Sequence, residues 1–257
     1  MKKIKFFNTE MHVATMDETI AWIDDRIANS QFTQHVVVNV AKLVKMRHDV
    51  QLKNSVEQCD IINIDGMGVV WGARFLGHDV PERVSGIDLF YGLLDLAAAK
   101  KYPVFLLGAK SEIVENAVAI LQKKFEGLDI CGFNHGYFWD NEQELVDKIR
   151  KSGARLLFVA ITSPKKENFI NRWKDELGVD FVMGVGGTFD VVVGKVKRAP
   201  HWMQRCGLEW LYRVIQEPGR LWKRYLKTNS EYVFLLLKEK IKSRDGIGGH
   251  PMFPLSS

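Results

Sequence analysis

From about residue 34 to residue 193, short apolar runs alternate with stretches of helical period, and this alternation limits the fold more than any other feature of the chain. The runs fall at 35–40, 60–64, 104–107, 128–133, 155–161 and 179–183. Helical patterns follow them over 41–57, where Leu43, Val44 and Met46 are apolar, and over 67–77, 111–125, 141–152 and 164–177, with a short one after Gly187. A further helix starts near Ser85. Strands that are apolar throughout and spaced by helices are buried on both faces and pair in parallel. The expected fold is therefore α/β, with a Rossmann-like parallel sheet. Past residue 194 the rhythm stops, and two aromatic, basic helices are expected, broken at Glu217-Pro218-Gly219. The expected division is an α/β core over 1–194, a helical appendage over 195–245 and a flexible tail over 246–257.

Composition fits one large domain or two small lobes: 257 residues, 46% apolar and 26% charged, exclude a disordered, collagenous or fibrous chain. Cys59, Cys131 and Cys206 are far apart and form no CxxC pair, so neither a disulfide framework nor a cysteine zinc site is supported. The first residues, MKKIKFF, return to polar character too soon for a signal peptide, and no apolar run approaches the ~20 residues that cross a bilayer. A cytoplasmic protein is expected. Charge is uneven along the chain. Residues 195–245 hold 13 Lys and Arg against 5 Asp and Glu, a balance of +8, while the remainder holds 23 against 26. Such a segment meets something anionic, whether a lipid surface, a phosphate-bearing substrate or nucleic acid, or else is a solvated basic helix.

Several strand ends run into loops of small residues: Asp65-Gly66-Met67-Gly68, Gly108-Ala109-Lys110-Ser111, Thr162-Ser163-Pro164-Lys165 and Gly184-Val185-Gly186-Gly187-Thr188. In open parallel sheets the ligand crevice lies outside the carboxyl ends of the strands, where helix N-termini offer free N–H groups to phosphate. Ser163 before Pro164 reads as an N-cap. Asp65 ends a buried strand, where a carboxylate can take a proton from an attacking hydroxyl; its bland alternative is an Asp-Gly turn. Asp88, in the first turn of its helix, and Asp190, after the glycine loop, are the competing acids. Phe189 stands where a dinucleotide fingerprint needs its last glycine, and no G-x-x-x-x-G-K-[ST] exists, so nicotinamide and P-loop readings are set aside. No HExxH, Asp-x-Asp or G-x-S-x-G occurs, and no metal or other cofactor is expected. Arg83 precedes a helix, where its guanidinium can hold a diphosphate or simply pair with Glu82 or Asp88. His35, His78 and His135 read as structural or surface groups.

These strings carry a resemblance. Asp65-Gly66-x-Gly68-Val69-Val70, Glu82-Arg83-Val84-x-Gly86-x-Asp88-Leu89, Val104-Phe105-Leu106-Leu107-Gly108, Gly136-Tyr137-Phe138, Ser163-Pro164-Lys165-x-Glu167, Gly184-Val185-Gly186-Gly187-Thr188-Phe189-Asp190 and Arg198-Ala199-Pro200 through Gly207-Leu208-Glu209-Trp210-Leu211-Tyr212-Arg213 occur in that order. Together, over about 35–226, they resemble the WecG/TagA/CpsF family of bacterial glycosyltransferases, glycosyltransferase family 26, with its GT-E-type fold. The resemblance implies an inverting, metal-independent enzyme that moves a sugar, often of N-acetylmannosamine type, from a UDP donor to an undecaprenyl-diphosphate-linked sugar for envelope or surface polysaccharide.

Carried over, the base is Asp65 and the pocket asparagine is Asn39. The donor site is expected from Gly66, Arg83, Gly108, Lys110, Ser163, Lys165, Glu167, Gly186, Gly187 and Asp190. The appendage, with Arg198, Arg205, Arg213, Arg220 and Arg224, is expected at the acceptor and at an anionic membrane surface, peripheral on the inner face. Val37 stands where the family usually has threonine, and Lys166 where it usually has glutamine, which leaves a hexose or uronic acid donor open. The rival is a non-catalytic protein that binds a nucleotide or nucleic acid through the basic tail; four small-residue loops with one acid among them count against it, and no nucleic acid partner is expected. An oligomer is compatible with the sequence.

Overall fold

A computed structural model of the chain describes residues 1–245, without the side chains of Arg220, Ser243, Arg244 and Asp245. The tail expected over 246–257 and the Arg220 side chain lie outside the described residues.

Eight strands form one sheet: β1 (Lys2–Phe6), β2 (Thr9–Val13), β3 (Thr33–Val38), β4 (Ile61–Ile64), β5 (Val104–Gly108), β6 (Ile130–Asn134), β7 (Leu156–Ala160) and β8 (Phe181–Gly184). Their order is β1-β2-β4-β3-β8-β7-β5-β6. Every pairing is parallel except the β1–β2 hairpin. The helices are α1 (Met16–Ala28), α2 (Val40–Met46), α3 (Val50–Glu57), α4 (Met67–Phe75), α5 (Gly86–Lys100), α6 (Ser111–Lys124), α7 (Glu142–Lys151), α8 (Lys165–Trp173), α9 (Thr188–Val192), α10 (His201–Arg205), α11 (Glu209–Gln216) and α12 (Pro218–Asp245).

Period-2 side-chain alternation splits each strand between two apolar layers. Leu156, Phe158, Leu106, Phe181 and Met183 pack with residues of α1, α5 and α6, and the Phe158 ring meets Phe90 edge-on at 4.8 Å. On the other face, Leu157, Val159, Phe105 and Val182 pack with α7 and α8, while Val36, Val38, Ile62 and Ile64 pack with α2, α3 and α4. Each large apolar side chain buried this way contributes roughly 1.5–3 kcal/mol of transfer free energy, and those two covered faces explain why the strands read as unbroken apolar runs.

The structure differs from the sequence reading in several places. Periodicity assigns nothing before residue 34, yet β1 and β2 form a hairpin whose two-residue turn, Phe7-Asn8, has positive φ at both positions. The expected strand at 35–40 begins two residues earlier and ends at Val38, because Asn39 caps α2: its Oδ1 accepts from the Lys42 N–H at 2.9 Å. The single helix expected over 41–57 is two, since Asp49 caps a new one through the Leu52 N–H. Ser163 is not an N-cap: Pro164 holds that position after a cis peptide bond, and the Ser163 hydroxyl is buried without a partner. The appendage holds three helices among the described residues, not two.

The appendage also returns to the core. Tyr232 of α12 is buried in the same apolar cluster as β3 and β4, and its hydroxyl donates to the Gly68 carbonyl of α4 at 2.9 Å. Gly207, at φ +63, sits against Met67 and Trp71 so closely that a Cβ would fall 2.8 and 2.6 Å from their side chains. The segment after residue 194 therefore packs on the first turns of α4 at two points.

Candidate active site

Strands β4, β3, β8 and β7 are consecutive neighbours, so the loops leaving their carboxyl ends share one edge of the sheet. These loops carry Asp65, Asn39, Val185-Gly186-Gly187 and Thr162-Ser163. The Asp65 N–H donates to Val38 O at 2.9 Å, which extends the β3–β4 ladder by one step and sets Asp65 beside Asn39. Gly66 follows with φ +99, a conformation that suits glycine, and the Asn39 Cβ lies 3.8 Å from where a Gly66 Cβ would stand. The chain then passes through α4 and comes back: the Val84 N–H donates to Ile64 O at 3.0 Å, returning Arg83 to the end of β4.

Asp65 keeps some exposure as a residue, but its carboxyl group is enclosed. That burial raises its pKa above the ordinary carboxylate value, and Glu209 raises it further. Arg83, Arg213 and a hydrogen bond from the Gly86 N–H work in the opposite direction. A carboxylate with a raised pKa holds a proton more firmly than an ordinary one, as a group that takes a proton from a hydroxyl must. Val37 adjoins the same place, with its Cγ2 3.3 Å from where a Gly86 Cβ would be.

Arg83 pairs with neither Glu82 nor Asp88. Its Nη1 donates to Glu209 Oε2 at 3.0 Å, across 126 residues, and Arg213 Nη2 donates to Glu209 Oε1 at 3.1 Å. Asp88 is held instead by Arg198 in a bidentate pair, 2.5 Å for each contact. Burial alone would raise the Asp88 pKa, and the Arg198 guanidinium overcomes it, so the carboxyl titrates below its usual value. Two of the predicted appendage arginines, Arg198 and Arg213, thus reach residues of the sheet edge or its helices. Arg205 is exposed, and Arg224 lies over the Tyr225 ring at 5.1 Å.

The other predicted residues form a second group. Glu167 is buried between two lysines, with Lys42 Nζ and Lys166 Nζ each 2.9 Å from its Oε1. Burial would raise the Glu167 pKa; the two ammonium groups reverse this and bring it down to about 2. Burial, then Lys42, depress Lys166 to about 8 although Glu167 opposes them. The Lys166 stem passes beside Gly184, where a Cβ would come within 2.7 Å of its Cδ, and Lys45 Nζ reaches the Ser163 carbonyl at 3.4 Å. Lys165 is exposed and stacks over the Trp139 ring at 4.9 Å, so it lies apart from the lysine group. Gly108, at φ +127, approaches Ala160 so closely that no Cβ fits, and Ala109 N–H donates to Ala160 O at 3.0 Å, leaving Lys110 at the N-terminus of α6. Asp190 pairs with Lys195 at 3.2 Å. Phe189 is fully buried, which is why the glycine loop departs from a dinucleotide fingerprint. Among the described residues no three His, Cys, Asp or Glu side chains gather as a ligand set.

Sequence reasoning missed two participants. Lys42 gives no signal in one sequence, because its partner Glu167 is far along the chain. Glu209 does: it is the single acid among residues 195–216, a stretch otherwise cationic.

The family model for the WecG/TagA/CpsF glycosyl transferases matches residues 4–246, nearly the whole chain. The chain belongs to that family. Among curated relatives, the N-acetylglucosaminyldiphosphoundecaprenol N-acetyl-beta-D-mannosaminyltransferase of Bacillus spizizenii is 38% identical over 181 residues, 70% of this chain and 69% of its own length. The protein of the same name from Bacillus subtilis is 38% identical over 177 residues, 68% of each chain. As a WecG/TagA/CpsF glycosyltransferase the chain is an enzyme, and its mixed α/β architecture agrees with the Rossmann-like fold expected from the sequence.

Proposed function

We propose that this glycosyltransferase moves an N-acetylmannosamine-type sugar from a UDP donor to N-acetylglucosaminyl-diphospho-undecaprenol, with inversion and without a metal ion. The observation that carries the mechanism is the place of Asp65 at the carboxyl end of β4, beside Asn39 and with Arg83 returned to the same strand end. The acceptor hydroxyl oxygen attacks the anomeric carbon of the donor while its proton passes to Asp65. The bond from that carbon to the diphosphate breaks, and the electron pair leaves with UDP. Arg83, Arg213 and the N–H groups around Gly186 and Gly187 meet the charge that develops on the leaving group. The names of the two relatives support both the sugar and the lipid-linked acceptor.

The acceptor is a membrane lipid, and α12 is built to meet one. Tyr232 and Leu235 face the core, whereas Leu226, Val233, Phe234, Leu237 and Ile241 are exposed along one side of the helix. Trp202, Trp210 and Trp222 are exposed in the same segment. Aromatic and aliphatic side chains beside lysines and arginines bind the interface of an anionic bilayer. No helix among the described residues is long and apolar enough to cross a membrane. The reading is of an enzyme held peripherally on the inner leaflet.

The test is release of UDP and formation of the disaccharide lipid from UDP-N-acetylmannosamine and the lipid-linked acceptor, with Asp65→Asn alongside. The variant is expected to fold and bind UDP but to turn over roughly 10²-fold more slowly, the scale of a lost general base. Near-normal turnover removes Asp65 from the mechanism. A panel of UDP-sugars in thermal unfolding is expected to show the largest shift with UDP-N-acetylmannosamine. A larger shift with a UDP-hexose or UDP-uronic acid replaces the donor.

A further inference from the structure

Helix α11 lies over the Asp65 edge although none of its residues is buried. Its apolar packing is partial, from half-buried Leu211, Tyr212 and Val214 and a Trp210–Tyr225 ring contact at 5.8 Å. Its firmest link to the core is Glu209, whose two carboxylate oxygens are divided between Arg83 at 3.0 Å and Arg213 at 3.1 Å. Arg83 and Glu209 are largely enclosed, with side chains 13% and 21% exposed, so the pair is shielded from solvent more than a surface ion pair. The same two guanidiniums are the cations that face Asp65. A carboxylate shared between two guanidiniums fills the places that the oxygens of a diphosphate ester would fill, and it does so with a single negative charge.

We propose that Glu209 is a stand-in for the substrate diphosphate: it holds Arg83 and Arg213 together beside Asp65 until a diphosphate ester displaces it. The inference rests on the proposed reaction, in which both the donor and the lipid-linked acceptor bring a diphosphate. The incoming group carries more charge and more acceptor oxygens than one carboxylate, so it takes both guanidiniums. Glu209 is then released to solvent, while the diphosphate oxygens bridge Arg83 and Arg213 in its place and keep α11 over Asp65. The groups that set this balance are Asp65 at the end of β4, Arg83 before α5, and Glu209 and Arg213 on α11, with the Arg198–Asp88 pair beside them. Glu209 thus keeps the two guanidiniums paired and in place while the site is empty.

The experiment uses the full chain and two probes, UDP for the donor and farnesyl diphosphate for the lipid-linked diphosphate. Calorimetric titration of wild type and Glu209→Gln reads the competition directly. The variant keeps the shape of the side chain but loses its charge, and it is expected to bind at least one probe about 10-fold more tightly, the probe that tightens naming the diphosphate that displaces Glu209. Equal or weaker binding of both probes by a folded variant overturns the inference, because an ion pair that merely anchors α11 would weaken the site when broken. Glu209→Ala gives a second reading should the glutamine variant fail to fold: it removes the carboxylate altogether and is expected to tighten the same probe about as much. Equal or weaker binding of both probes by folded Glu209→Ala likewise overturns the proposal. A wild-type protein that binds neither probe overturns the diphosphate chemistry of the proposed function and this inference with it.

Discussion

Replacing Glu167 with glutamine tests the buried charge group beneath the sheet edge. In the native protein the Glu167 carboxylate sits between Lys42 and Lys166 with 3% of its side chain exposed, and each lysine side chain is 9% exposed. Glutamine keeps the volume but leaves two enclosed ammonium groups without their counter-ion. Removing one partner of a buried ion pair costs about 3–5 kcal/mol. The pKa gives a second route: a drop from 4.5 to about 2 corresponds, at about 1.4 kcal/mol per unit, to about 3 kcal/mol. The two routes agree on a loss of about 3 kcal/mol at pH 7, to be read from urea unfolding with an unchanged m-value. The sign of its pH dependence follows from the depressed pKa. The contribution is complete above the unfolded value of 4.5 and is lost as pH falls through it toward 2, so the gap between wild type and variant stays level from pH 7 to 5 and then closes. The double variant Lys166→Gln/Glu167→Gln is expected to lose less than the two single losses added, because each group's cost depends on the other. A loss below about 1 kcal/mol, or a gap unaffected by acid, refutes the idea that the lysines and Glu167 act as a buried charge unit.

Other consequences are open to simple assays. Transfer is expected to survive EDTA, since Arg83 and Arg213 supply the positive charge at the leaving diphosphate; loss of activity that magnesium or manganese restores would contradict this. The exposed face of α12 is expected to bind anionic vesicles in a salt-sensitive way, and Phe234→Ser/Leu237→Ser in the full chain should weaken co-sedimentation and lipid-acceptor transfer while leaving UDP binding intact. Unaltered sedimentation would make that face a solvated surface.

The alternation of apolar runs with helical periods, by itself, determined the parallel core, because strands covered on both sides are apolar at most positions, here with Thr33, Gln34, His35 and Asn63 as buried exceptions. The same logic put Asp65 at a strand end, where a parallel sheet presents its ligands. Local signals at the N-terminus were present but do not announce themselves as apolar runs: Thr15 and Glu18 form a capping box at the start of α1, and β1 alternates exposed and buried residues from Lys3 to Phe6 at the sheet edge. What only the tertiary structure decided is which charges meet. Arg83 finds Glu209 across 126 residues, not its neighbours Glu82 and Asp88, and Asp88 finds Arg198 across 110. Such pairings leave no periodic trace, because an ion pair needs one residue from each of two distant segments and any nearby acid looks equally suitable in a linear chain. The appendage shows the same limit. Its basic charge is plain in the sequence, but the burial of Tyr232 against Gly68 and the fit of Gly207 on Met67 and Trp71 depend on α12 and the α10–α11 turn both closing on α4, a geometry that exists only once the sheet has fixed where α4 stands.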